Sequence, residues 1–440
     1  MKSSSASSWK VKGGATLNGV LKPSGSKNAA LPILAATLLT DKPVHLHSCP
    51  QIRDIKAMQG VLETLGVNIH EDIDPHSITI TAKSIKPEQL STELSKKIRA
   101  SILLAGPIVA RVGHITLPPP GGDVIGKRRL DTHFLILEKL GATVTLENHL
   151  IKVNAPNGLI GANIHLDEPS VTATENAVMA ASIAKGTTVI YNAACEPNVQ
   201  DLIILLNKMG ADIEGSGTNR LVINGKGELL GGATHTICPD HIEIGSFICL
   251  AACCRGRIEI PEVPENIIVP IMIGLGKLGV EIEYNNGTLV IPANQKLLVN
   301  PDRSGGIPTI YDSPWPGFSP DLTSPAVVLA TQATGTSLIF EKMFESRMFF
   351  VDKLAAMGAS LILCDPHRVV VSGPSKLVGT EVSSPDIRAG MALLTAALCA
   401  TGDSVIHNVH QIERGYENIV PRLNSLGARI TPLSNGKLGM

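Results

Sequence analysis

Two apolar patterns alternate along the chain. Runs crowded with Ala, Ser, Thr and Cys, such as ENAVMAASIA and IRAGMALLTAALCA, carry small hydrophobic side chains on every face, as a helix buried on all sides does. Each is followed by a β-branched alternation, TTVIYN or SLIFEK, the period-two signature of a half-exposed strand. A second helical run then closes on Leu65-Gly66, Leu140-Gly141, Met209-Gly210, Leu278-Gly279, Met357-Gly358 or Leu426-Gly427. The glycine suits the left-handed position just past a helix end, and the aliphatic alternation behind it begins the next strand.

Six such units make two groups of three, with a seam near HTICPDHIEIGS, residues 235–246. Small side chains permit close helix approach, so we expect an α/β fold with the first helix of each unit packed inside its domain and the sheets outside. Residues 1–26 read as strand material of the second group. The expected domains are therefore 27–238 and a discontinuous one of 1–26 and 239–440. Two domains also suit 440 residues, more than one core usually organises.

Composition narrows the function. With 44% hydrophobic residues, 18% charged residues and a net charge of -1, the chain has no global field for nucleic acid or an anionic membrane, so any anion binding is local. MKSSSASSWK lacks the apolar stretch of a signal peptide, and AALPILAATLL is too short to span a bilayer, which implies a cytoplasmic protein. The eight cysteines form no CxxC pair, and SFICLAACC reads as reduced thiols in a helix, so neither disulfide nor structural zinc is expected. His45, His47 and His133 lack a set of ligand partners, and no metal or cofactor is expected. GLGKLG, residues 274–279, matches a dinucleotide fingerprint, but the repeat puts Gly279 at a helix end where the fingerprint needs a helix start.

Candidate chemistry lies in scattered polar stretches. LPPPGGDVIGKRRLDTH, residues 117–133, sets Asp123 on a polyproline and tight-turn loop just before Lys127, Arg128 and Arg129. By itself Asp123 reads as a turn residue. Lys27 and Asn28 precede a helical run, where backbone amides favour anions, although Asn28 suits an N-cap equally. Asp321 in PGFSPDLTSP is a carboxylate that could serve as a base or cap the following helix. Arg99, Arg128, Arg388 and Arg414 offer planar forks for carboxylate or phosphate; as surface residues they would pair with neighbours such as Asp386 and Glu413.

Together SGSKNAALPILAATLL, IRASILLAGPIVAR, GGDVIGKRRLDTH, PGFSPDLTSP, ESR and IERGYE resemble the UDP-N-acetylglucosamine enolpyruvyl transferases, over essentially the whole chain. The resemblance implies an inside-out α/β barrel fold: two similar domains, each of three βαβαββ-type units. It also implies transfer of the enolpyruvyl group of phosphoenolpyruvate to the 3-hydroxyl of UDP-N-acetylglucosamine, with phosphate released, in peptidoglycan synthesis. Lys27, Arg99, Arg128, Arg388 and Arg414 then match the family's anion-binding positions, with Lys27 and Arg414 among the catalytic set, and Asp321 matches the carboxylate facing the 3-hydroxyl. Asn28, Arg129, Leu130, Asp131, Thr132, Glu168, Ser170, Val171 and Met343 match further substrate contacts, Asp131 accepting hydrogen bonds from the uracil. Asp123 stands where the family usually has the loop cysteine that is linked to C3 protonation and alkylated by fosfomycin, which implies an acid donor and fosfomycin resistance. Other departures are Arg129 for a common proline, Leu103 for a tryptophan, Glu168 for a lysine and Gln411 for a histidine. A monomer is expected. A shikimate 3-phosphate enolpyruvyl transferase and a non-catalytic relative of either remain as alternatives.

Overall fold

The computed structural model describes residues 7–122, 126 and 128–433 of the chain. Two compact units divide at Ser24/Gly25 and at Cys238/Pro239, the first boundary two residues before the expected one. The unit of the second half takes in the chain's beginning because Ser8–Lys12 joins its last sheet, Trp9 lying opposite Ile406 on one side and Pro432 on the other.

Within each unit the small-residue helices lie inside. They are Lys27–Ala36, Ala105–Val112 and Val171–Ser182 in the first unit. In the second they are His241–Cys253, Thr323–Gln332 and Ile387–Cys399, and these three touch one another. All 13 residues of His241–Cys253 are buried, Cys249 and Cys253 among them as free thiols. Small residues set the spacing: a Cβ on Gly245 would stand 2.6 Å from Leu322 Cδ1, and one on Gly106 2.6 Å from the Asn176 carbonyl oxygen. Packing at that density stabilises the core, so truncating fully buried Leu394 to Ala is expected to cost about 2–5 kcal/mol.

The sheets form the outer layer. Among the described residues five have four strands and one has three. Lys185–Tyr191 shows the common plan, pairing parallel with Asn163–His165 and antiparallel with Arg220–Lys226. Its Thr188 and Ile190 point into the core while Thr187 and Tyr191 face solvent, as a period of two requires. Gly335–Phe340 repeats the plan with Thr309–Tyr311 and Arg368–Gly373. The result is the inside-out α/β barrel in both units.

One repeat departs from the expected βαβαββ plan. Among the described residues the sheet of His114–Leu117, Leu150–Asn154 and Thr143–Glu147 has no leading parallel strand. The short turn Pro87–Gln89 lies beside His114–Leu117 instead, and Pro87 has no N–H to donate to a ladder. This incomplete repeat runs straight into the loop after Leu117.

The six closing glycines have φ between +78° and +109°, the left-handed caps that the Leu-Gly and Met-Gly pairs predicted. GLGKLG is the end of a helix: Gly274 and Gly276 lie in Glu265–Gly276, and Gly279 follows it. No helix among the described residues is long and apolar enough to cross a membrane.

Candidate active site

In the first unit Ser26, not Asn28, caps the helix Lys27–Ala36, its hydroxyl accepting from Ala29 N at 3.3 Å. Asn28 is instead the second helical residue, half-buried. Lys27 is buried at the same helix start and its ammonium lies 2.7 Å from Asp54 Oδ2. Asp54 sits in the first turn of Arg53–Thr64, where a carboxylate is also favoured by the helix dipole. The lysine is thereby held in place by a short, nearly dry ion pair.

Arg99 opens the turn Arg99–Leu104 and closes on the basic loop. Its Nη2 donates to the carbonyls of Arg128 at 2.9 Å and Arg129 at 3.2 Å. Burial, with the charge of Arg128 behind it, pulls the Arg99 guanidinium down to about 10. Its first task in this geometry is to fix the loop backbone.

Leu130 leads into the helix Asp131–Lys139, and its carbonyl accepts from His133 N. Arg129 Nε meets Asp131 Oδ2 at 3.0 Å in a pair more than half exposed on each side. Buried Thr132 turns inward and donates to Asp167 Oδ1 at 2.7 Å, with Glu168 Oε1 at 3.5 Å. That contact joins the 128–132 stretch to the Glu168, Ser170 and Val171 stretch. The helix Val171–Ser182 begins without a side-chain cap: Ser170 offers its carbonyl to Thr174, but its hydroxyl accepts from none of the first-turn amides.

Behind this wall lies a polar network that the motifs did not reveal. His133 is buried; its Nε2 meets Thr172 Oγ1 at 3.1 Å and its Nδ1 meets Asn176 Nδ2 at 2.9 Å. An amide nitrogen only donates, so Nδ1 is the acceptor and Nε2 carries the hydrogen. Burial, helped by the charge of Arg99, holds the ring neutral down to about 3. Asn176 also donates to the Ile102 carbonyl and accepts from Gly106 N, each at 2.8 Å. The only sequence signal was an Asn in a run of small apolar residues.

In the second unit Asp321 occupies the turn Pro320–Leu322 ahead of Thr323–Gln332. Ser319 caps the turn, its hydroxyl accepting from Asp321 N at 3.3 Å. Two nearly buried arginines hold its carboxylate. Arg347 Nη2 donates to Oδ1 at 2.9 Å, and Arg388 Nε and Nη2 both reach Oδ2 at 2.9 Å. Arg388 is therefore no surface arginine paired with Asp386, whose carboxylate instead caps Ile387–Cys399 by accepting from Arg388 N and Ala389 N. Burial opposes the Arg388 charge, yet Asp321 and then Tyr416 outweigh it and hold the guanidinium above its ordinary range. Its Cζ stands 5.5 Å above the Tyr416 ring, and Tyr416 Oη meets Ser246 Oγ at 2.8 Å.

Arg347 is the residue that sequence reasoning missed, though ESR contains it. A carboxyl lies on its far side: Arg347 Nε is 3.6 Å from Oε2 of fully buried Glu341. Arg414 closes the turn Val409–Arg414 and donates through Nη1 to Gln411 Oε1 at 2.9 Å. Met343 is exposed, as an apolar contact to a ligand requires. Asp123 lies outside the described residues. Among those residues no group of three His, Cys, Asp or Glu side chains could hold a metal ion.

Comparison with known proteins gives this geometry a chemistry. The profile of the family described as EPSP synthase (3-phosphoshikimate 1-carboxyvinyltransferase) matches residues 11–423. The chain is 54% identical over 420 residues to a UDP-N-acetylglucosamine 1-carboxyvinyltransferase of Treponema denticola, covering 96% of this chain and 98% of that one. It is 53% identical to the enzyme of that name from Bradyrhizobium diazoefficiens, covering 96% of each. Among solved structures the enolpyruvyl transferase NikO of Streptomyces tendae has the same fold, with a TM-score of 0.85 at 24% identity over 97% of this chain and 99% of that one. An EPSP synthase of Acinetobacter baumannii follows at 0.73 and 17%, over 96% and 99%.

Proposed function

The chain belongs to the EPSP synthase family, and on that premise we propose that it transfers the enolpyruvyl group of phosphoenolpyruvate to the 3-hydroxyl of UDP-N-acetylglucosamine, releasing phosphate. The observation that carries this reading is the identity of 54% over nearly the whole length with an enzyme of that name. The product serves as a peptidoglycan precursor, and the reading places the enzyme in the cytoplasm as a monomer that supports cell shape and division.

The transfer is an addition followed by an elimination. A proton is added to C3 of phosphoenolpyruvate, the sugar oxygen forms a bond to C2, and the hydroxyl proton leaves to a base. The adduct then loses a C3 proton and the C2–O bond to phosphate. Asp321 is the acceptor of the hydroxyl proton: two arginines hold its carboxylate in one orientation, and a fixed acceptor aligns the attacking oxygen. Lys27, Arg99, Arg128, Arg388 and Arg414 neutralise the donor's phosphate and carboxylate. Lys27 is suited to a phosphate oxygen because Asp54 already fixes its ammonium. Ser170, Val171 and Thr132, with Arg129, Leu130, Asp131 and Glu168 around them, take the uridine nucleotide, and the uncapped start of Val171–Ser182 offers amides to it. Asn28 and Met343 contact the substrates.

Asp123 is the C3 acid. At a reference pKa of about 3.9, about one carboxyl in a thousand is protonated at pH 7, about 4 kcal/mol to recover. Lys127, Arg128 and Arg129 next to it in sequence work against protonation. Bound phosphoenolpyruvate and exclusion of water work for it, and they act only in the loaded complex.

Phosphate release with UDP-N-acetylglucosamine or shikimate 3-phosphate as acceptor tests the function, and turnover with the second alone defeats it. Asp123→Cys is expected to keep turnover and to create fosfomycin sensitivity. An Asp123→Asn enzyme with an unchanged pH profile would show that Asp123 is not the acid.

A further inference from the structure

We propose that Glu341 is a positioning residue for the transfer, acting through Arg347 to set how firmly Asp321 is held. This rests on the reading of Asp321 as the acceptor of the hydroxyl proton. Arg347 stands between the two carboxyls, its Nη2 2.9 Å from Asp321 Oδ1 and its Nε 3.6 Å from Glu341 Oε2. One guanidinium thus answers two acids, and whatever changes one acid changes its hold on the other.

Glu341 follows the strand Gly335–Phe340 and is fully buried, locked by its surroundings. Thr323 Oγ1 donates to Oε2 at 2.6 Å and Phe344 N to Oε1 at 3.2 Å. The carboxyl of Asp312, also fully buried, is in hydrogen-bond contact with it. Asp312 Oδ1 accepts from Lys342 N, and the backbone amides of Asp312 and Met343 also act on its carboxyl. The groups facing Glu341 from the neighbouring elements are therefore Asp312, Thr323, Arg347 and, against its backbone carbonyl at 2.7 Å, the ring of His367. The ammonium of Lys342 lies over the Tyr311 ring instead.

Two carboxyls in contact must share a proton, since two carboxylates would present lone pairs to each other in a dry interior. Burial first, then Asp312, raises the Glu341 carboxyl against the pull of Arg347, to about 8.

While that proton is in place, Asp321 is Arg347's one anionic partner in the cluster and its carboxylate is fixed. Once Glu341 ionises, Arg347 divides between two anions and the orientation of Asp321 relaxes. The hydroxyl then meets a looser acceptor, and turnover falls.

The test measures kcat and KM of the full-length enzyme between pH 6 and 9, with protonated-carboxyl infrared absorption followed over the same range. Wild type is expected to lose about tenfold in kcat through a limb centred near pH 8, as the infrared band disappears. Glu341→Gln, which cannot ionise, is expected to remove the limb and the band. Glu341→Ala is expected to lower kcat about 10- to 100-fold at pH 7, with KM for the sugar nucleotide changed far less. A limb near pH 8 that persists in Glu341→Gln with midpoint and depth unchanged, or a wild-type band that does not titrate, overturns the proposal while leaving the enzyme's function intact. A wild type that makes no enolpyruvyl sugar nucleotide defeats the underlying reading first and the proposal with it.

Discussion

The two units share one repeat, yet they satisfy their buried polar groups by different chemistry. In the first, the network behind the basic loop is neutral: Asn176 answers the Ile102 carbonyl, Gly106 N and His133, and His133 answers Thr172. In the second, the corresponding interior is ionic: Asp321 is held by Arg347 and Arg388, with the acid pair Glu341 and Asp312 behind Arg347. A fold of close-packed small-residue helices tolerates either solution when most of its buried polar groups find partners. What differs is the consequence. A neutral network fixes backbone and resists titration, whereas an ionic one can respond to a proton.

The sharpest way to break the comparison is at Asp321. Asp321→Asn keeps the size but removes the charge that two nearly buried guanidiniums face. Turnover is expected to fall about 10²- to 10⁴-fold, because the proton acceptor is lost. Stability is expected to fall by about 3–5 kcal/mol, because two cations are left without their anion. Phosphate-release kinetics and thermal melting read the two losses separately. Unchanged kcat would remove Asp321 from the chemistry.

The neutral network predicts a different division. Asn176→Ala leaves Gly106 N, the Ile102 carbonyl and His133 Nδ1 without their partner. About 1–3 kcal/mol for each unsatisfied group makes this mainly a stability variant, read as a lower denaturant midpoint. The turnover of the molecules that remain folded is expected to change far less than in Asp321→Asn. Equal losses in kcat would mean that the two networks are not distinct in role.

Acid sharpens the same contrast. The His133 ring stays neutral in the folded state down to about 3, while its ordinary value is 6.5. A histidine with a depressed value stabilises the fold fully above pH 6.5, and that contribution is lost as the pH falls from 6.5 toward 3. Glu341 has the opposite sign. Raised from 4.5 to about 8, its contribution is complete below pH 4.5 and is lost as the pH rises toward 8. His241 in the second unit is also lowered by burial, against the opposing pull of Asp240 and Asp321. His133→Gln is therefore expected to flatten the acid arm of the stability profile, and Glu341→Gln the alkaline arm, in melts from pH 4 to 9.

How much of this the sequence disclosed follows from the range of each interaction. The six closing glycines were legible because a left-handed cap is a local requirement. The layering was legible because burial on all faces leaves small residues at every position. Ser26 was passed over for Asn28, since both suit a cap and only geometry selects between them. The partners of Asp321 were not legible as partners: Arg388 is 67 residues away and Arg347 is 26, and no period links them. His133 and Asn176 were missed for the same reason: each lies in a quoted stretch, but they are 43 residues apart and no period marks them as partners. Motif resemblance identified the residues around the reacting groups, while the structure identified what holds them.

The smallest expected effect is the most discriminating about exposure. Arg129 and Asp131 form an ion pair at 3.0 Å, nearly as short as the 2.9 Å pairs of Asp321, but their side chains are 53% and 61% exposed, against 3% for Arg347. Water and salt screen the exposed pair, and two long side chains lose entropy in forming it, so distance alone says little about its worth. Arg129→Ala is expected to leave the melting temperature unchanged within error at 0.15 M salt. Arg99 donates to the Arg129 carbonyl, not to its side chain, so the loop keeps its anchor in the variant. What the variant removes is one partner of the Asp131 carboxylate, at the exposed end of the helix that is read as facing the uracil. The KM for the sugar nucleotide is therefore expected to move by no more than a few fold while kcat holds. A melting temperature several degrees lower would mean that this rim pair is worth as much as the buried one, and the distinction between the two units would fail at its exposed edge.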